Sequence, residues 1–420
     1  MSAEFEPPVT TTPRQDRLAV LRIPDFRRYL IGGALAASGG QMTAVAAGWE
    51  LYDRTHMPIS LGLLGLMSAL PVICLALPAG TIADRYSRRT ICLFAELGAA
   101  ISLGLLACVS FLHLPLPFFY TLVLLLATCG AFLGPALGAL VANIVGDSLL
   151  ADATKWSAIR WQLASTLGPV AGGFLIHKYT PALIYALDSI GRIIFCLLLA
   201  KITPRSHTRS GEKLNWGQVI AGWHFVRGNP LILSTITLDM VAVLFGGATA
   251  MLPVYARDIL KVGAEGLGPL RAAPAVGAVC MSLYLTTRPP LKNAGPSLLL
   301  AVGGFGLATI VFGLSHIYWI SLLTLACLGA LDNISVVVRH TLLQLLTPDE
   351  MRGRVNAVNS VFIGTSNEIG ELESGVAAQL IGPMLAVAGG GAITIFVVIL
   401  VALRWPVVRQ LKSLEKLRPS

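Results

Sequence analysis

Ala83-Asp84-Arg85-Tyr86-Ser87-Arg88-Arg89 sets one acid and three arginines between two stretches, 61–82 and 90–111, each long and apolar enough to cross a bilayer. A cluster pinned between two such spans is no soluble surface loop. It marks one side of a membrane. Charged residues make up only 13% of the 420-residue chain and hydrophobic ones 55%, with a mean hydropathy of +0.73. A soluble domain carries about a quarter charged residues, so the expectation is an integral membrane protein. A hydrocarbon core of about 30 Å takes about 20 apolar residues per helix. Twelve segments qualify, at about 29–51, 61–82, 90–111, 117–143, 155–177, 181–200, 230–254, 266–286, 296–314, 318–340, 356–380 and 385–403. The strand alternation of an outer-membrane barrel is absent. The predicted fold class is therefore all-α, with 12 transmembrane helices.

The net charge of +9 does not point to nucleic acid, because of where it sits. If the N-terminus lies inside, the cytoplasmic segments hold 23 lysines and arginines and the opposite side only Arg54, Lys178, Arg257 and Lys261. That is the positive-inside asymmetry, and it places both termini in the cytoplasm. Residues 1–28 lack a cleavable signal pattern and read as a cytoplasmic tail. Trp49, Tyr52, Tyr179, Tyr255, Tyr318 and Trp319 flank the outer ends of the segments, as an interfacial aromatic belt would. The seven cysteines all fall in apolar segments, and no histidine or cysteine stands at metal-ligand spacing. Neither a metal nor a cofactor is expected.

The longest polar interruption, 201–229, divides the chain into 29–200 and 230–403, with 404–420 as a second cytoplasmic tail. Within it Trp216, Ile220, Trp223 and Val226 recur at helical spacing and suggest a short amphipathic helix at the cytoplasmic interface. A constant offset of 202 aligns Asp147 with Asp349, Gly168 with Gly370 and Gly173 with Gly375. The fifth and eleventh segments are thus equivalent elements of two parallel six-helix halves.

Twelve segments, a six-plus-six division and Gly80-x-x-x-Asp84-Arg85-x-x-Arg88-Arg89 together resemble the major facilitator superfamily over nearly the whole chain. The resemblance implies that Gly80, Asp84, Arg85, Arg88 and Arg89 form a cytoplasmic gate. The alternative is that the arginines only anchor topology and bind lipid headgroups. Gly168-Pro169-Val170-Ala171-Gly172-Gly173 resembles the core of the superfamily's antiporter motif, with Gly168, Pro169, Gly172 and Gly173 as its positions. Small residues there let helices approach closely. The block 347–356, Ser366-Asn367-Glu368-Ile369-Gly370-Glu371, and Phe225-Val226-Arg227-Gly228-Asn229-Pro230 look like the bacterial exporter branch that includes the enterobactin exporter. That likeness implies efflux of a small amphipathic molecule, drug-like or siderophore-like, across a bacterial inner membrane, and a monomer is expected.

Ionisable residues inside a span are costly, so each is a functional candidate. Glu368, Glu371 and Glu373 lie in the eleventh segment, and Gly364, Glu368, Glu371 and Gly375 share one helix face. Two carboxylates in one low-dielectric site compete for ionisation, and one of such a pair is suited to taking up and releasing a proton. The alternative is a structural role, with carboxyls holding helices together. Asp239 sits near mid-depth in the seventh segment, and Glu368, Glu371, Glu373 and Asp239 are the candidates for proton or substrate coupling. Asp188 and Arg192, four apart, are expected to pair. Asp332 and Arg339 lie seven apart on one face. Gln41, Asp188, Arg192 and Asp332 are the cavity candidates. The leading expectation is a proton-coupled exporter working by alternating access, with protons, a small-molecule substrate and the bilayer as its partners. Uptake or facilitated diffusion, or lipid flipping, in the same fold is the alternative. No nucleotide-binding P-loop is present and no catalytic constellation stands out, so an enzyme is not expected. If the 83–89 cluster is a gate, Asp84→Asn should lower transport turnover several-fold while membrane expression persists; normal turnover in that variant would leave the cluster with topology alone.

Overall fold

A computed structural model describes residues 18–203, 216–288 and 293–411. The long helices are α1 (Pro24–Thr55), α2 (Pro58–Arg85), α3 (Arg88–Phe111), α4 (Leu116–Val145), α5 (Asp147–Lys178) and α6 (Pro181–Ala200). A short helix, α7 (Trp216–Gly228), precedes α8 (Pro230–Phe245), α9 (Gly263–Thr286), α10 (Ala294–Leu314), α11 (Tyr318–Leu346), α12 (Asp349–Ile381) and α13 (Pro383–Arg404). Proline opens α1, α2, α6, α8 and α13, where its missing N–H costs nothing and its fixed φ suits the first turn. Gly382, at φ +88°, lets the chain reverse between α12 and α13 in a single residue. No strand occurs among the described residues.

Ten of these helices are long and apolar enough to cross a membrane among the described residues. The eighth runs on through short turns to Ile259, giving one span from Pro230 to Ile259. The two other predicted spans are present as helices: α5 has 32 residues and α12 has 33. Both exceed the length needed, but they are more polar than the rest. The physical reason is their position. α5 packs on α1 and α9, and α12 packs on α2, α7, α8 and α13, so each sets part of its surface on protein, while apolar residues such as Leu163, Leu167 and Leu380 stay exposed.

The pairing of helices repeats. In the first set α1 packs on α5 and α6, α3 on α4 and α6, and α2 on α4. In the second set α8 packs on α12 and α13, α10 on α11 and α13, and α9 on α11. Matching α1–α6 in order with α8–α13 converts one list into the other. The two large contacts between the sets, α5 with α9 and α2 with α12, exchange under the same match. Individual glycines obey it too. Gly168 of α5 abuts Gln41 and Ser38 of α1, and Gly370 of α12 abuts Val243 and Leu244 of α8. Gly173 abuts Gly268 of α9, and Gly375 abuts Gly62 of α2. The glycines of the antiporter-like motif therefore divide their work: Gly168 and Gly172 seat α5 on α1, while Gly173 meets the other set.

Both seams lie toward the end of the bundle opposite the chain termini, here the far end. Hydrogen bonds join the sets there as well. Tyr52 donates to Asp258, and Arg257 donates to Asp53. Arg257 also lies 3.3 Å from His56, and His177 lies 3.6 Å from Glu265. Toward the terminal end Gly80 of α2 and Gly353 and Gly364 of α12 face open space, although their helices touch at the far end. The aromatic residues divide. Tyr179 and Trp319 are exposed, as the belt expectation requires, whereas Tyr255 is fully buried, stacked on Phe312 and donating to the Gly313 carbonyl at 2.7 Å. A π-helical turn at Tyr255–Ile259 places it in the core rather than at the rim.

The predicted amphipathic stretch is α7. Trp223 stacks on Phe362 of α12 with ring centroids 5.4 Å apart, and Val226 is buried beside Val355 and Val358. The side chains of Trp216 and Ile220, and residues 204–215, lie outside the described residues.

A Cβ at position 173 would stand 2.6 Å from the Ala264 carbonyl oxygen and 2.7 Å from the Gly268 nitrogen. Overpacking of this kind costs about 1–3 kcal/mol. Gly173→Val should therefore lower the melting midpoint of the purified protein in detergent by a few degrees; an unchanged midpoint would show that this seam does not hold the sets together.

Candidate functional site

Between the two sets lies a cavity of about 300 Å³. Its two walls differ. The first set contributes Leu61, Leu64, Leu106 and Val123, with Thr43 and Ser68 as its only hydroxyls. The second set contributes Arg271 from α9 and Glu368 and Glu371 from α12, beside Thr249, Leu252, Pro253 and Leu267. The shared face Gly364–Glu368–Glu371–Gly375 explains the placement: Gly375 sits in the seam with α2, and the two acids follow it into the cavity. Gly65 of α2 makes room for Glu371, whose Oε2 and Cβ lie where a side chain at that position would be.

Arg271 donates to the Thr249 carbonyl at 3.0 Å and acts electrostatically on both carboxylates. Among the described residues no ion pair within 4.0 Å joins it to either acid. A second cavity of about 200 Å³ lies deeper in the second set and is lined by Asp332, Asn367 and Glu371. Glu371 and Thr249 border both cavities.

The other acids inside the helices are differently placed. Asp188 accepts from Arg192 Nε at 3.2 Å and from Thr43 at 2.8 Å. The same guanidinium reaches Glu96 at 3.2 Å. The expected Asp188–Arg192 pair thus forms, with Glu96 of α3 as a third member. Thr43 links this network to the cavity wall. Asp239 pairs with Arg339 across the α8–α11 contact, and both are buried. Arg339 therefore finds its partner on the neighbouring helix and not in Asp332, which stands two turns, roughly 10 Å, along its own helix. Glu373 accepts from Ser374 at 3.4 Å and borders neither cavity. Gln41 packs against Gly168 in the α1–α5 contact.

At the terminal end Arg88 donates to Asn143 at 2.8 Å, and Arg89 donates to the carbonyls of Leu199 and Ala200. These bonds tie the start of α3 to the ends of α4 and α6. Arg85 is exposed, and the side chain of Asp84 lies outside the described residues. Arg271 and Glu96 are not among the candidates singled out from the sequence. The available signal was that each is an ionisable residue within an apolar segment. Among the described residues no group of three His, Cys, Asp or Glu side chains is arranged to hold a metal ion.

A family model described as transmembrane secretion effector matches residues 15–418. The enterobactin exporter EntS of Shigella boydii is 27% identical over 374 residues, covering 88% of both chains. Its Escherichia coli counterpart matches to the same extent. Among solved structures, the nucleoside transporter NupG superposes with a TM-score of 0.72 at 10% identity, covering 91% of this chain and all of its own. A bacterial homologue of the human lysosomal transporter Spinster, inward-facing and occupied, gives a TM-score of 0.71 at 13% identity, covering 94% of this chain and 98% of its own.

The Asp239–Arg339 pair reads as a structural tie. Removing one partner of a buried pair costs about 3–5 kcal/mol, because the other is left charged and alone. Asp239→Asn should lower folded yield and the melting midpoint in detergent, and Arg339→Met added to it should recover much of the loss. A double variant no better than the single one would show that the pairing is not what these helices need.

Proposed function

The chain belongs to the transmembrane secretion effector family of the major facilitator superfamily, and from that premise we propose that it is a proton-coupled exporter of a small amphipathic molecule. It is a multi-pass membrane protein and a transporter of small molecules. We read it as 12 spanning helices in two six-helix halves, 29–200 and 230–403, joined by 201–229. The one-for-one repetition of helix pairs supports this division. The positive-inside asymmetry supports cytoplasmic termini. The far end then faces outward and is closed in the conformation described above. Export as the direction is favoured by the likeness to enterobactin exporters and by the Gly168–Gly173 motif.

One observation carries the coupling assignment. Glu96, Asp188 and Asp239 are each paired with an arginine, whereas Glu368 and Glu371 border the cavity between the sets without such a pair. Unpaired carboxylates at a cavity wall can exchange protons with entering water. Substrate loads from the cytoplasm onto the deprotonated site. The bundle rearranges, and a proton arriving from outside displaces the substrate. Glu371 rests on Gly65 of α2, so its charge bears directly on a contact that must part for the far end to open. In this reading Asp239 and Glu373 are structural, Asp332 serves the deeper cavity, and Asp188 and Arg192 orient Thr43 at the wall.

In proteoliposomes with an imposed pH gradient, Glu368→Gln and Glu371→Gln should each reduce gradient-driven transport by about tenfold or more, since each loses a titratable group. Glu373→Gln should stay near the parent rate. Retention of gradient-driven transport by both cavity variants would sink the coupling assignment.

A further inference from the structure

We infer that the central cavity binds an amphipathic ammonium ion bearing N–H groups and exchanges it for a single proton; this rests on the proton-coupled reading above and names its substrate class.

The hydrogen-bonding inventory of the wall comes first. A hydroxyl has one proton to donate and two lone pairs to accept with. The Thr43 proton is committed to Asp188 at 2.8 Å. The Ser68 proton is committed to the Leu64 carbonyl at 3.0 Å. Both hydroxyls therefore offer the cavity lone pairs only. Glu368 and Glu371, when ionised, accept only. The donors are those of Arg271, one of whose N–H groups is held by the Thr249 carbonyl, and the single Thr249 hydroxyl, so acceptors at the lining outnumber donors. A ligand that fits such a lining brings donors of its own.

Charge gives the sign. The groups facing Glu368 are Arg271 on α9 and Glu371 on its own helix, while α1 and α2 present neutral residues to the cavity. Two carboxylates against one guanidinium leave one uncompensated negative charge. A monovalent cation neutralises it, and so does one proton, but not both together. That competition is the requirement for antiport, and it predicts one-for-one, electroneutral exchange. The opposite wall supplies the partner for an apolar body through Leu61, Leu64, Leu106 and Val123. A volume of about 300 Å³ accepts a fused aromatic ring with a short amine tail.

The test is calorimetric binding to the purified full chain with a matched series: naphthylethylamine, its trimethylammonium analogue, naphthylpropionate and naphthylethanol. The amine should bind at least about tenfold more tightly than the propionate or the alcohol, and several-fold more tightly than the trimethylammonium form, which has no N–H to donate. Repeating the titration in buffers of different ionisation enthalpy should show proton release on amine binding, approaching one per amine where the site starts protonated. Glu368→Gln should remove the preference for the amine while the helical circular dichroism signal and the melting midpoint hold, and Glu368→Asp should restore it in part. Preference for the propionate, or amine binding without proton release at any pH, overturns the inference. Flux measurements then separate the two levels. If the amine binds as stated but a pH gradient does not drive its transport, the coupled reading fails and the site assignment stands. If a pH gradient drives the propionate instead, the cation assignment fails and coupled transport stands.

Discussion

A charge held within a bilayer must find an opposite charge or a cavity, because the hydrocarbon offers neither counter-ion nor hydrogen bond. Most of this molecule's interior chemistry follows from that constraint. Arg192 gathers Asp188 and Glu96 into one network in the first set, and Arg339 takes Asp239 in the second. Glu50 is satisfied by Arg54, Tyr185 and Ser110. Each of these partnerships lies within one set and binds its helices to one another. The two cavity glutamates stand where the sets meet, beside an arginine that is itself anchored on a backbone carbonyl.

Apart from the far-end ties Tyr52–Asp258 and Arg257–Asp53, the boundary between the sets is built by the opposite strategy. At Gly173 and Gly268, and at Gly62 and Gly375, main chains touch with no side chain between them. Such contacts rest on dispersion and close approach and not on interlocked side chains. They can separate without rotamers having to disengage. Within each set, ion pairs and large buried aromatics such as Tyr185, Phe195 and Phe312 resist that kind of separation. Rigid sets around such a seam suit the rocking motion that the proposed function calls for.

Much of this was legible from the residues. Apolar length and turn residues located the helices, and the offset of 202 found an equivalence that the glycine contacts reproduce at Gly168 with Gly370 and at Gly173 with Gly375. The i, i+4, i+7 spacing grouped Glu368 and Glu371 on one face, and both line the central cavity; Glu373, taken with them from the sequence, lines neither cavity. What escaped were relations between helices. Periodicity says which residues share a face, but not which helix lies opposite. Asp239 and Arg339 are a hundred residues apart in sequence, and no local pattern joins them. The placement of Arg271 is likewise a relation between helices: it shares the cavity with Glu368 and Glu371 of α12, which a local reading of its own segment does not see. Tyr255 misled because position along a segment does not reveal a π-helical turn.

The two-sided lining of the central cavity also bears on how such a protein diversifies. Its ionisable lining comes wholly from α9 and α12, and most of its apolar lining comes from α1–α4. On the assignment proposed above, charge exchange is housed in one half, and recognition of a ligand's body rests mostly on the other. Substitutions at Leu61, Leu64 or Val123 can then reshape which bodies are accepted without disturbing the acids that harness the gradient. A duplicated gene with this layout can acquire new cargo through drift in one half while the other conserves the energy source.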